Sequence, residues 1–199
     1  RPMETLISSA IVVQNFVETI RTNSFNIRFI HASSSEIYGN RAHIGRANEM
    51  SSHSPLSPYA IGKSTASQIV KFYRDAYGLR CVNAFLSNHE SVLRGKRFVL
   101  GKVREGIKMI KQGEESQLIL GNIDISRDWG WAPDYSDALM RMITDKKDSD
   151  YIIATGESIT LRQMVEEMFR LSDLNPRVYL KVSSIVRPLE LKESLLDPS

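Results

Sequence analysis

Apolar residues at Leu6, Ile7, Ala10, Val13, Phe16, Val17 and Ile20 recur three and four positions apart, a spacing that predicts an amphipathic helix. The β-prone run 27 to 32 follows, so the chain opens helix then strand. Residues 38 to 57 are rich in Ser, Asn, Gly and His and close near Pro55, which marks a loop. Pro58 suits the first turn of a helix running to about Tyr77, and Gly78 is its natural stop. The stretch 80 to 86 reads as strand. Val99, Val103, Ile107 and Ile110 then predict a helix over 98 to 112, ended by Gly113. A short strand at 118 to 120, a helix over 134 to 144 and a strand at 151 to 154 continue the alternation. Thr160 and Gln163 form a capping-box pattern ahead of a helix ending near Leu171, and the tail from Val178 is mixed and polar. Strands alternating with helices imply a parallel sheet covered by helices.

Composition narrows the class. The 199 residues are 42% hydrophobic, enough to bury a core. Lys and Arg number 26 against 23 Asp and Glu, and the basic residues are scattered, so the net charge of +3 does not argue for nucleic acid. No apolar run reaches transmembrane length, which argues against a membrane-spanning protein. The single cysteine, Cys81, excludes an internal disulfide and a multi-cysteine metal site; it reads as a buried thiol in a reducing, cytoplasmic setting. His31, His43 and His53 share no metal-ligand spacing with it, so no metal is expected and surface or satisfied core positions are. The seven methionines read mostly as helix-core packing. The start in helix-like sequence without methionine suggests a fragment.

Chemistry concentrates in two runs, HASSSEIYG at 31 to 39 and SPYAIGK at 57 to 63. Tyr59 and Lys63 lie four apart on a predicted helix, so they share one face. A cation there is expected to lower the tyrosine pKa toward a range useful to a general base. Ser34 and Glu36 add a hydroxyl and a second titratable group at the end of a predicted strand.

With these residues in place the chain resembles the extended short-chain dehydrogenase/reductase family, whose members act on nucleotide sugars. HASSSEIYGN, SPYAIGKSTASQIVKFYRDAYGL, NHESVLRG, FVLGKV, LGNIDISRDWGWAPDY and DYIIATGES look like successive blocks of its GDP-mannose 4,6-dehydratase branch. The resemblance implies a Rossmann-like doubly wound parallel sheet, incomplete here, with a smaller C-terminal α/β substrate lobe. Residues 1 to 87 would be the later part of an NADP-binding domain, and 88 to 199 mostly substrate lobe with segments returning to the first. It also implies a mechanism. Tyr59, helped by Lys63 and Ser34, would take the proton of the sugar 4-hydroxyl while hydride passes from C4 to NADP. Glu36 would then remove the C5 proton and assist loss of the C6 hydroxyl as water, after which the stored hydride would return to C6 and regenerate the cofactor. His89 and Arg94 match cofactor contacts, as do Tyr59 and Lys63. Ser35, Asn88, Val99, Lys102, Arg127, Arg187 and Glu190 match positions around GDP-mannose. The family commonly forms dimers or tetramers, so a homo-oligomer is expected. A related nucleotide-sugar epimerase or reductase, and a truncated chain that binds nucleotide sugar without catalysis, remain alternatives.

Departures from the family pattern are informative. No glycine-rich G-x-G-x-x-G or G-x-x-G-x-x-G loop occurs, although such a loop would hold the cofactor pyrophosphate. Ser34 replaces a usual Thr. Leu93 stands where an arginine is common, and Leu100 and Gly101 replace a Thr-Arg pair before Lys102.

Overall fold

The computed structural model describes residues 1–40, 45–183, 192–194 and 196–199. Its first helix is continuous but changes pitch: α1 (Pro2–Leu6) runs through a π-helical turn (Ile7–Ile11) into α2 (Val12–Thr22). Ala10, Val13, Val17 and Ile20 form its buried stripe and pack toward α3 (Pro58–Tyr77). The two helices approach closely at Gly62, where a Cβ would lie 2.8 Å from that of Ser9. The ends of α3 follow from local chemistry. Ser57 Oγ accepts from the Ala60 N–H at 3.0 Å, Pro58 occupies the first turn, and Gly78 closes the helix at φ +65°.

Strands β1 (Phe29–Ala32), β2 (Cys81–Leu86) and β6 (Tyr151–Ile153) make a parallel sheet in the order β1-β2-β6. Central β2 is buried along its whole length, so it carries a continuous apolar run around Asn83. Cys81 faces Val13, Val17, Ala66 and Val70 on the α2/α3 side. Val82, Ala84 and Leu86 meet Tyr135 and Met142 of α5 (Ala132–Thr144) on the other. The Cys81 thiol donates to Val70 O at 3.2 Å, and burial pushes its pKa up to about 11, as suits a structural thiol.

A second sheet holds β3 (Asn88–Glu90), β5 (Ser126–Trp131) and β7 (Ser158–Thr160). β5 runs parallel to β3 but antiparallel to β7, so this sheet is mixed, unlike the purely parallel arrangement the alternation implied. β4 (Leu118–Leu120) pairs with β8 (Leu180–Val182) beside α4 (Val99–Lys111), α6 (Leu161–Arg170) and α7 (Pro176–Tyr179). Val103, Ile107, Leu118, Ile123, Val165 and Phe169 form the core of this half. The capping box at Thr160 and Gln163 forms as the sequence predicts. The methionines divide: Met142 is buried and Met168 packs against a core cluster, whereas Met3 and Met140 lie on exposed helix faces and Met50 is exposed in a turn.

His31 is another correction. It is neither at the surface nor fully satisfied: it lies buried in β1 opposite Asn83, with no hydrogen-bond partner for Nε2 among the described residues. Burial, with the Lys63 charge adding to it, lowers its pKa to about 4 from 6.5. Between those values the unfolded chain binds the proton and the folded chain does not. The stability associated with neutral His31 is therefore full above about pH 6.5 and lost progressively toward pH 4, a change on the order of 3 kcal/mol. Thermal melting across this window should show a steeper acid decline in the native chain than in His31→Gln; equal slopes would refute the assignment.

Candidate active site

The site begins where β1 runs out. Ser33 N–H still reaches Ala84 O at 2.8 Å, and Ser34 then caps a 3-10 turn (Ser35–Tyr38), its Oγ accepting from the Glu36 N–H at 3.3 Å. Gly39 ends that turn at φ +67°, where a Cβ would lie 2.1 Å from Ser54 O, so only glycine fits. Ser57 Oγ donates to Glu36 Oε2 at 3.4 Å, tying the turn to the start of α3 two residues before Tyr59.

These elements wall a cavity of about 530 Å³, within the range of small-molecule sites. Ser34, Ser35, Glu36 and Tyr59 line it together with Asn88, His89, Arg94 and Val99. Eight residues singled out in the sequence therefore converge from five segments of chain. Lys63 is not on the wall. Its ammonium donates to Ala32 O at 2.7 Å and lies 5.9 Å from the centroid of the Tyr59 ring. Lys102 and Arg127 are likewise off the wall: Lys102 Nζ donates to Ile119 O at 2.8 Å, and Arg127 Nη1 to Ser126 O at 2.7 Å. Arg187 and Glu190 lie outside the described residues, as does His43.

The electrostatics correct one expectation. Burial pushes the Tyr59 pKa up, a hydrogen bond with Ser34 opposes this, and the Glu36 charge adds to the rise. Lys63 does not reverse the direction, because its ammonium is turned to the Ala32 carbonyl and is itself destabilised by burial, which lowers its pKa.

Sequence reasoning passed over Glu90, Phe98 and Trp129, all on the cavity wall. Glu90 Oε2 accepts from Arg94 Nε at 2.6 Å, and the guanidinium lies 4.6 Å from the Phe98 ring centroid. The four-residue spacing of Glu90 and Arg94 was a readable signal for this pair. Trp129 carries no comparable signal, since nothing in its neighbourhood marks an indole as site-facing.

A parallel three-stranded sheet that delivers Ser34 and Glu36 from one strand end beside a Tyr-x-x-x-Lys helix belongs to the Rossmann-type dehydratases and epimerases in fold. RMD from Pseudomonas aeruginosa, solved with NADPH, matches all of this chain and 66% of its own at a TM-score of 0.88 and 22% identity. The dTDP-glucose 4,6-dehydratase from Bacillus anthracis, solved with NAD, matches 97% of this chain and 60% of its own at 0.86 and 18%. The family model described as GDP-mannose 4,6 dehydratase matches residues 1–188, and the chain belongs to that family. GDP-mannose 4,6 dehydratase 1 of Arabidopsis thaliana is 36% identical over 180 residues, 88% of this chain and 49% of the relative. The Drosophila melanogaster enzyme is 39% identical over 163 residues, 81% of this chain and 41% of its own. The chain thus spans about half the length of these curated relatives or less.

Proposed function

We propose that this chain carries the catalytic part of an NADP-dependent enzyme that converts GDP-mannose to GDP-4-keto-6-deoxymannose. The observation that carries the reading is Glu36 on the same cavity wall as Tyr59, which supplies two proton-handling groups in place of the one a simple oxidation requires. The residues suit a nicotinamide nucleotide. Lys63 has three N–H donors and spends one on Ala32 O, and Arg94 is a fixed cation on the wall. Tyr59, Lys63, His89 and Arg94 would hold that nucleotide, which supplies a reversible hydride acceptor when bound.

Tyr59 takes the proton of the sugar 4-hydroxyl, with the Ser34 hydroxyl stabilising the phenolate by hydrogen bonding. A ketone at C4 then acidifies the neighbouring C5 hydrogen. Glu36 accepts that proton and passes it to the departing C6 hydroxyl, which leaves as water, and delivery of the C4-derived hydride to C6 with a proton to C5 completes the 4-keto-6-deoxy sugar. Ser57 holds Glu36 by one oxygen and leaves the other for this work. Ser35, Asn88 and Val99 shape the sugar end. Lys102, Arg127, Arg187 and Glu190 are assigned to the nucleotide beyond it. The buried Cys81 thiol supports a reducing, cytoplasmic setting, and the family pattern supports a homo-oligomer.

Incubation of the full-length protein with GDP-mannose and NADP is expected to yield the 4-keto-6-deoxy sugar nucleotide, identified by mass loss of one water. No reaction with GDP-mannose beside clear turnover of another sugar nucleotide would overturn the reading.

A further inference from the structure

Connections between the two larger sheets meet at one buried carboxylate. Asp128 of β5 is 1% exposed. Its Oδ1 accepts from Ser87 Oγ at 2.8 Å, at the junction of β2 and β3, and from the Thr155 N–H at 3.0 Å. Its Oδ2 accepts from the Gly156 N–H at 2.8 Å, so the connection from β6 to β7 is held by both oxygens. A buried carboxylate with donors on both oxygens is well compensated for lost water.

The proton directions can be read through the network. Ser87 spends its single hydroxyl proton on Asp128, so the Tyr135 hydroxyl, bonded to the same Ser87 Oγ, must be the donor there. Burial holds the Tyr135 pKa above its usual value, which keeps that proton in place. The Tyr135 ring lies against the His89 imidazole with centroids 4.8 Å apart, tilted by 30°. Gly130 makes room for it, because a Cβ there would come within 2.1 Å of the ring. His89 Nδ1 lies 2.9 Å from Ser87 O. A carbonyl only accepts, so Nδ1 carries a proton, and the neutral form of the ring has its lone pair on Nε2.

We propose that Asp128 is a positioning residue: through Ser87 and Tyr135 it fixes the His89 ring on the cavity wall, so that Nε2 accepts a hydrogen bond from an O–H or N–H group of the bound nucleotide. This rests on the reading of the cavity as a nicotinamide-nucleotide site. In the serine–tyrosine–aspartate chain, Asp128 holds the serine, the serine holds the tyrosine, and serine and tyrosine together hold the histidine by its Nδ1–H and its face.

The test uses the full-length protein, with ¹⁵N NMR of His89 and calorimetric titration with NADP. Native His89 is expected in the Nδ1–H tautomer. Asp128→Asn should give a mixture of tautomers and weaken NADP binding about tenfold, the scale of one lost charge-assisted hydrogen bond. Tyr135→Phe, which keeps the ring, should weaken NADP binding less and add nothing in the Asp128→Asn background, because both act through Ser87. A folded Asp128→Asn protein with unchanged tautomer and NADP affinity would overturn the proposal, as would full additivity. If Asp128→Asn does not fold, Tyr135→Phe alone decides, and unchanged tautomer and affinity in it overturn the proposal. Failure of the native protein to turn over GDP-mannose would refute the functional reading while leaving the tautomer result to be judged separately.

Discussion

Glu36→Gln in the full-length enzyme is expected to lower turnover of GDP-mannose by about three orders of magnitude, within the range for a general acid-base group. Glutamine keeps the shape and the acceptor that Ser57 binds, but it cannot take up the C5 proton. Affinity for GDP-mannose should therefore stay within about twofold. The distinctive product should be a 4-ketosugar that retains its 6-hydroxyl, with solvent deuterium no longer entering at C5. An epimerase or reductase that uses only Tyr59 would lose little on this substitution. Near-native dehydration by Glu36→Gln would thus remove the glutamate from the mechanism.

The part of this site that could be read from the sequence was local. Ser34 and Glu36 are two residues apart, Tyr59 and Lys63 one helical turn apart, and both runs carry turn and cap residues that announce their ends. The second sheet was not legible in the same way. β3 is Asn-His-Glu and β5 contains Arg127 and Asp128, because these strands serve the cavity and the junction between sheets, so they lack the alternation or apolar run that marks a strand. β7 (Ser158–Thr160) and β8 (Leu180–Val182) lack the apolar run that marks the equally short β4 and β6. Side-chain direction was equally hidden. Helical spacing placed Lys63 beside Tyr59, but only the packing of α3 on β1 turns its ammonium to Ala32 O.

Phe169→Ala should be the most damaging single substitution in the half of the molecule built on α4 and α6. Phe169 is fully buried, and truncation of such a side chain leaves a cavity that costs about 3–5 kcal/mol. Urea unfolding would show this as a lower midpoint with an unchanged slope. Val99 packs against the same cluster and lines the cavity, so the KM for GDP-mannose should rise even in the folded fraction. Turnover at saturation should change little, because Glu36 and Tyr59 are held by the other sheet and α3. An unchanged urea midpoint would show that this cluster does not hold its half of the molecule together.

Gly101 sets how closely the Arg94–Gly95 backbone approaches α4. A Cβ at this position would lie 2.3 Å from Gly95 O and 2.8 Å from Arg94 O, so the segment following Leu93 rests directly on the bare backbone of α4. Any side chain at 101 would push back the segment that carries Arg94, so the place of this cavity-wall cation depends on a missing Cβ in the neighbouring helix.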